Sequence, residues 1–128
     1  MVGVFMIPIN ELQARIYQAL SELDINVYDE VPEEAQIPLI AIGDYNLSTI
    51  DCKGYGFSFV WNLNIYTDYE GKKEVNELVS EVVGCMYGLS DTNLIEDYSI
   101  NDVILETASI SRNEGYYVAN LSMQIDIS

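Results

Sequence analysis

The chain has 128 residues, a hydrophobic content of 49% and a formal net charge of −16 at pH 7. This length suits one domain with a buried core, and the hydrophobic content argues against a disordered chain despite the charge. The 21 acidic and 5 basic residues argue against tight binding to nucleic-acid phosphates or anionic lipids, because no basic patch can form. Histidine is absent, which removes the usual general base near neutral pH and the commonest metal ligand.

The cysteine pattern and the N-terminus bear on the cellular compartment. Cys52 and Cys85 are far apart and have no CxxC spacing, which favours reduced thiols in a cytosolic compartment. The apolar residues 1–7 are too few for the hydrophobic region of a signal peptide. No run approaches the ~18 apolar residues that a membrane span needs. We therefore expect a soluble intracellular protein with a single domain over residues 1–128.

The N-terminal third predicts one helix and two strands. Apolar residues recur at three- and four-residue steps from Ile9 to Leu23, which predicts an amphipathic helix. A short strand is expected around 25–28, followed by an acidic loop that contains Pro32. The apolar, β-branched segment 37–45 predicts the next strand, and the polar segment 46–54 is expected to be a long loop after it.

The strongest strand signal covers residues 55–67. Large apolar side chains occupy every second position, with mostly polar residues between them. Because side chains alternate between the two faces of a strand, the apolar groups share one face. Burying each of them contributes on the order of 1.5–3 kcal/mol, so we expect this strand to be central in its sheet. The apolar positions are Phe57, Phe59, Trp61, Leu63 and Ile65.

The C-terminal half predicts a second helix over 71–87, a polar connection over 89–97 and a final hairpin. The hairpin consists of strands 100–112 and 116–127 around a turn at 113–115, where glycine can adopt positive φ. The continuous apolar triplet 103–105 indicates a bulge or burial on both faces. Strands and helices in this order predict an α+β fold, with a mainly antiparallel sheet of four to five strands and both helices on one face.

No catalytic, cofactor-binding or metal-binding motif appears in the sequence. The phosphate-binding glycine loop, the GxSxG and HExxH motifs and a cysteine–histidine pair are all missing. Carboxylates are plentiful, but Glu74, Glu77 and Glu81 are expected on the solvated face of the second helix. Of the ten tyrosines, eight cluster near strand ends and turns. Two interpretations of them stay open: half-buried side chains with solvated hydroxyls, or a protein–protein surface.

The order of segments resembles the small tail-terminator (tail-to-head joining, tail-completion) proteins of long-tailed bacteriophages and prophages. The resemblance lies in the N-terminal helix around 16–20, the proline-led apolar strand with Gly-Asp at 37–44, the Trp-x-Leu-x-Ile strand at 61–65, and Gly71 before a helix. It extends over nearly the whole chain. The motifs that carry it are structural ones.

The resemblance implies a virion-assembly protein without enzymatic activity or cofactor. Members of that family form a ring, usually hexameric, that caps the finished tail tube and docks it to the head connector. The implied partners are other copies of the chain, the tail-tube protein and a head-connector or neck protein. DNA would pass through the ring without tight binding. The implied location is the bacterial host cytoplasm during assembly and then the tail or neck of the virion.

Loop 46–54 and turn 113–115 are the expected contacts with the tube or with neighbouring copies. The candidate residues are Tyr45, Asn46, Ser48, Ile50, Asp51, Lys53, Tyr55, Asn113, Glu114 and Tyr116.

Two other functional classes fit the composition. An acidic protein-binding module, such as an inhibitor that mimics DNA, needs carboxylates along one exposed stripe. A small carboxylate enzyme needs two acids that converge in a pocket.

Overall fold

The computed structural model describes residues 6–50, 56–68, 71–95 and 97–128. In chain order, the elements of this part are α1 (Ile9–Leu20), β1 (Asn26–Tyr28), β2 (Leu39–Thr49), β3 (Phe57–Thr67), α2 (Lys73–Tyr87), β4 (Thr92–Ile95), β5 (Tyr98–Asn113) and β6 (Tyr116–Ile127). The described strands form one sheet in the order β1-β2-β3-β6-β5-β4. β1 pairs with β2 in parallel, and every other neighbouring pair is antiparallel.

The predicted α+β class is confirmed, and the predicted number of strands is approximately right. In the part of the chain that the structure describes, the sheet has six strands rather than four to five, because β4 forms within the segment that was expected to be a connection. β4 spans only Thr92–Ile95, and Leu94 is its one buried residue. A four-residue strand with a single core contact carries too little apolar alternation to distinguish it from a loop.

β3 is central in the sheet, as its alternation predicts. It lies between β2 and β6, and the side chains of Phe59, Trp61, Leu63 and Ile65 are fully buried. β6 pairs with it over the whole length, from Phe57 opposite Ile127 to Thr67 opposite Tyr117. Paired residues point to the same side of a sheet, so the buried positions of both strands form one continuous apolar surface.

Both helices cover this apolar surface. Leu12, Ile16 and Leu20 of α1 belong to the same buried cluster as Trp61 and Leu63. From α2, Val75, Val82 and Met86 join that cluster. Each helix therefore buries one stripe against the same face of the sheet, which confirms the predicted placement of the two helices.

β2 is longer than the sequence pattern indicates. It continues to Thr49 and pairs with β3 along residues 45–49, so the first part of the expected loop 46–54 is strand. The register shifts between Ile42 and Tyr45, which places a bulge at Gly43 and Asp44. The indole Nε1 of Trp61 donates a hydrogen bond to the carbonyl oxygen of Gly43 at 3.0 Å. This bond holds the bulge against the core.

β5 contains the irregularity that the apolar triplet 103–105 indicates. Its pairing with β6 shifts between Ile100 and Asp102 and again between Leu105 and Thr107. Ile104 is 48% exposed, so the explanation is bulging rather than burial on both faces. The turn after β5 contains Gly115 with φ of 81°, as expected for this hairpin.

Two glycine substitutions test this packing. A Cβ on Gly43 would lie 3.0 Å from the backbone oxygen of Asn62, whereas a Cβ on Gly84 of α2 meets no atom within 4 Å. We expect Gly43→Ala to lower the free energy of unfolding by on the order of 1–3 kcal/mol, because a paired backbone cannot move away. Gly84→Ala should raise it by roughly 1 kcal/mol through helix propensity. Urea unfolding of both variants measures the difference, and equal effects would contradict the close approach at Gly43.

Candidate assembly interface

The expected contact residues at the end of β2 are exposed. Tyr45, Asn46, Ser48 and Ile50 all lie at the surface, and Ile50 is 48% exposed. The remaining candidates in this segment, Asp51, Lys53 and Tyr55, lie outside the described residues.

The candidates near the second hairpin lie at the opposite end of the sheet. Asn113 pairs with Tyr116 across the turn, beside the Thr67 end of β3, whereas Thr49 pairs with Phe57 at the other end. Asn113 and Glu114 are exposed. The ring of the half-buried Tyr116 lies 6.2 Å from that of Tyr66. The two groups therefore form two surfaces rather than one site.

Tyr45 belongs partly to the core. Its ring centroid lies 4.6 Å from that of Trp61 and 5.6 Å from that of Phe59, and 37% of the residue stays exposed. Both ring pairs are tilted, and aromatic contacts at such separations stabilise beyond the area that they bury. Tyr45 is thus half-buried, as the first interpretation of the tyrosines expects: one side of its ring packs against Trp61, and the rest of the residue is exposed.

The face of the sheet opposite the helices, which we call the open face, is rich in amides and hydroxyls. Ser122 Oγ donates a hydrogen bond to Asn62 Oδ1 at 3.0 Å, and Gln124 Nε2 donates to the Asp126 carboxylate at 3.2 Å. A shallow depression of about 390 Å³ is lined by Gly43, Asp44 and neighbouring amides. By pairing register, the open face consists of Asn26, Tyr28, Leu39, Ala41, Asn46, Ser48, Ser58, Val60, Asn62, Asn64, Tyr66, Asp102, Ile104, Thr107, Ser109, Ser111, Asn113, Tyr116, Val118, Asn120, Ser122, Gln124 and Asp126.

The open face has a distinct electrostatic character. None of its residues is a lysine or arginine. Its paired carboxylates are Asp102 and Asp126, and Asp44 of the bulge lines the depression on the same face. Arg112, on β5, belongs to the helix-covered side by its pairing with Tyr117, and its guanidinium carbon lies 5.9 Å from the Tyr117 ring centroid. The open face is therefore weakly acidic and offers no cation to a phosphate.

Carboxylates gather at the N-terminal half of α2. Asp24, Glu74, Glu77 and Glu81 line a groove of about 210 Å³ together with apolar side chains. The sequence predicted the three glutamates on one helix face, but the position of Asp24 beside them depends on the tertiary fold. Among the described residues, no group of three or more histidine, cysteine or acidic side chains could hold a metal ion.

A second groove separates the two helices. Its volume is about 620 Å³, and its lining includes Arg15, Glu22, Glu81 and Cys85. Burial raises the pKa of the Cys85 thiol, and the negative charges of Glu22 and Glu81 raise it further. A raised pKa keeps the sulfur protonated, and a thiol is a weak nucleophile compared with a thiolate. The groove therefore does not activate its cysteine.

Comparison with known proteins gives a match at the level of structure. The fold is similar to that of a chain in the "Virion of native gene transfer agent (GTA) particle", with a TM-score of 0.77 and 18% sequence identity. The match covers 96% of this chain and 98% of the other. No family model and no curated protein sequence matches. None of the described helices is long and apolar enough to cross a membrane. The chain thus shares its fold, nearly end to end, with a protein found in a virion.

The environment of Cys85 can be tested by alkylation with iodoacetamide in a Cys52→Ser background. Because burial and two carboxylates disfavour the thiolate, we expect the rate to rise at higher pH for the folded protein than for the urea-unfolded one. Glu81→Gln should move that rise to lower pH, whereas Glu77→Gln, a matched change on the same helix, should have a smaller effect. A folded protein that reacts at lower pH than the unfolded one would contradict this environment.

Proposed function

We propose that the protein is a structural subunit of a phage-type virion, acting as a tail terminator or related neck protein. In this role it forms a ring that caps the tail tube and joins it to the head connector. The observation that supports this proposal best is the fold shared over nearly the whole chain with a protein of a gene transfer agent virion. The resemblance of the segment order to tail terminators supports the same function independently of that comparison.

The position of the candidate contact residues suits a subunit that lies between two partners. Ile50, directly after the end of β2, and the turn around Glu114 lie at opposite ends of the sheet. A joining protein needs one surface for the tube and another for the connector, and the rigid β3–β6 pair holds these two ends apart. Loops on a rigid scaffold commonly carry such contacts.

The open face suits the wall of a channel through which DNA passes. Phosphates bind proteins mainly through lysine and arginine, and the open face has neither. Its amides and hydroxyls can stay hydrated while DNA moves past. We place this face toward the channel and the helices toward the outside of the ring. The function requires positions and contacts rather than a catalytic group or a cofactor.

The function can be tested by reconstitution with a tail-tube protein, for which the genes that neighbour this one are the place to search. Purified chain added during tube polymerisation should bind one tube end and limit further growth, as measured by tube length and end labelling in electron micrographs. Glu114→Arg and Ile50→Asp, at the two ends of the sheet, should impair different contacts. Val31→Asp, at another exposed apolar residue, is the matched control for Ile50→Asp. Strict monomers with no effect on tube length would overturn the proposal.

One observation favours a second function, that of an acidic module that binds a basic protein. The groove at α2 brings Asp24, Glu74, Glu77 and Glu81 together on one surface. Such a stripe can imitate the phosphates of DNA. Potent inhibition of a DNA-binding enzyme by the purified protein, lost in a Glu74→Gln/Glu77→Gln/Glu81→Gln variant, would favour this function over the ring.

The effect of salt on association distinguishes the two functions, because salt should strengthen self-assembly and weaken binding to a basic partner. Each copy carries a net charge of −16, so association between copies is opposed by repulsion that salt screens. We expect self-assembly to strengthen as NaCl rises from about 0.05 M to about 0.5 M, measured by sedimentation velocity. Binding to a basic partner should weaken over the same range. Self-assembly that weakens with salt would contradict contacts between like-charged copies.

A further inference from the structure

The two outer long strands of the sheet are each only partly covered. On β2, β1 pairs with Leu39–Ala41, and no described strand pairs with the outer side of residues 45–49. On β5, β4 pairs with Tyr98–Ile100, and no described strand pairs with the outer side of residues 107–113. We call these stretches the β2 free edge (45–49) and the β5 free edge (107–113). Unpaired strand edges are templates for pairing with another strand.

The protection usual at such edges is weak here. Neither free edge contains proline or lysine, and Arg112 is the one charged residue in them, although charged side chains and proline are what commonly prevent edge pairing. The start of the β5 free edge is marked by Tyr87, whose hydroxyl accepts a hydrogen bond from the backbone N–H of Leu105 at 3.2 Å. Beyond that point, Ile110 is 39% exposed on a strand. On the other edge, Tyr45 is exposed to a similar extent.

The two free edges have matching side-chain patterns. On the β2 free edge, Tyr45 and Leu47 belong to the helix-covered side, as their pairing with Trp61 and Phe59 shows. On the β5 free edge, Ala108 and Ile110 belong to that same side through Leu121 and Ala119. The alternate positions of both edges are small polar residues on the open face. They are Asn46, Ser48, Thr107, Ser109, Ser111 and Asn113.

Strand direction also matches. The strands β2, β3, β6 and β5 are consecutive neighbours and alternate in direction, so β2 and β5 run oppositely. If a second copy is placed beside the first in the same orientation, its β2 runs antiparallel to the β5 it meets. The helix-covered sides of the two strands then lie on the same side of the joined sheet, and their open-face residues lie together on the other side. Cross-strand pairs of this kind stabilise a sheet.

The two free edges lie on opposite sides of the sheet and at different heights along the strand direction. The β2 free edge is level with residues 57–61 of β3. Through β6, the β5 free edge is level with residues 62–67 of β3 and the adjoining turn. Copies joined through these edges are therefore offset along the strand direction. A closed sheet requires such a stagger, and a head-to-tail contact repeated by rotation closes into a ring.

From these observations we infer that the β5 free edge of one copy pairs, antiparallel, with the β2 free edge of the next. The sheets then join into a continuous wall with the open face inside and the helices outside. This inference rests on the proposed ring and adds the contact that closes it. Closure of the ring removes both exposed edges.

Disulfide cross-linking between copies tests the pairing directly. In a Cys52→Ser/Cys85→Ala background, Ile110→Cys is mixed under oxidising conditions with Tyr45→Cys, Leu47→Cys or Thr49→Cys. All four positions belong to the helix-covered side, and opposite residues in an antiparallel pair are close enough for a disulfide. We expect a cross-linked dimer with at least one of the three partners. Ser109→Cys, on the open face beside Ile110, is the matched control and should not cross-link to them.

The results separate this inference from the proposed function. Rings that sediment as such and cap tubes, but give no cross-link to any of the three β2 positions, would overturn the edge pairing and leave the function standing. Ile110→Cys that cross-links only to itself would show a two-fold β5–β5 contact and would also overturn it. Absence of any assembly, alone or with tube protein, would overturn both. A double variant with one cysteine on each free edge should give a series of covalent multimers on a non-reducing gel. The largest of them should contain as many copies as the ring.

A charge substitution provides a second test. Ile110→Lys should raise the concentration needed for half-assembly by about tenfold or more, because it places a charge at the centre of the contact. Val31→Lys changes an exposed aliphatic residue in the same way, away from both edges, and should leave that concentration unchanged or lower it by reducing the net charge. Equal behaviour of the two variants would contradict an interface at Ile110. Circular dichroism of both variants checks that each stays folded.

Discussion

The register between β3 and β6 is the constraint on which the rest of the structure depends. These strands pair without irregularity from Phe57 and Ile127 to Thr67 and Tyr117, and together they separate a buried apolar face from a polar one. A slip of one residue would exchange the two faces of a strand. It would expose Trp61 and bury Asn62, so burial of the apolar row specifies the register strongly. The helices, the bulge at Gly43 and the open face all depend on this division.

The elements that could be predicted from the sequence are those with enough residues to show a period. β3 and β6 alternate over eleven or more positions, and the helices repeat apolar residues over several turns. Both patterns are long enough to be recognised even where single residues depart from them. β4 and the second half of β2 lack that signal. The segment 46–49 is mostly polar because it lies at an edge, where only Leu47 faces the core. Polar residues in sequence therefore indicated a loop where the structure has a strand.

Neighbour relations other than the β5–β6 hairpin were beyond the reach of the pattern for a different reason. Alternation states which side chains share a face, but not which strand lies beside which. The insertion of β6 between β3 and β5 and the parallel pairing of β1 with β2 are long-range facts of this kind. For the candidate interface, exposure of Asn46, Ser48 and Asn113 was predictable from their type. Their position at opposite ends of one sheet follows only from the pairing order.

The distribution of charge bears on the proposed assembly. A chain with a net charge of −16 repels its own copies at long range, and that repulsion decays over roughly 10 Å at 0.1 M salt. At contact distance, the interaction between two copies depends on the residues at the touching surfaces rather than on the net charge. Acidic side chains line the α2 groove, whereas Arg112 is the one charged residue within the two free edges. Copies of this chain can therefore stay apart in dilute solution and still fit where backbone and neutral side chains meet. Strong net charge and specific self-association are compatible because they act at different distances and on different parts of the surface.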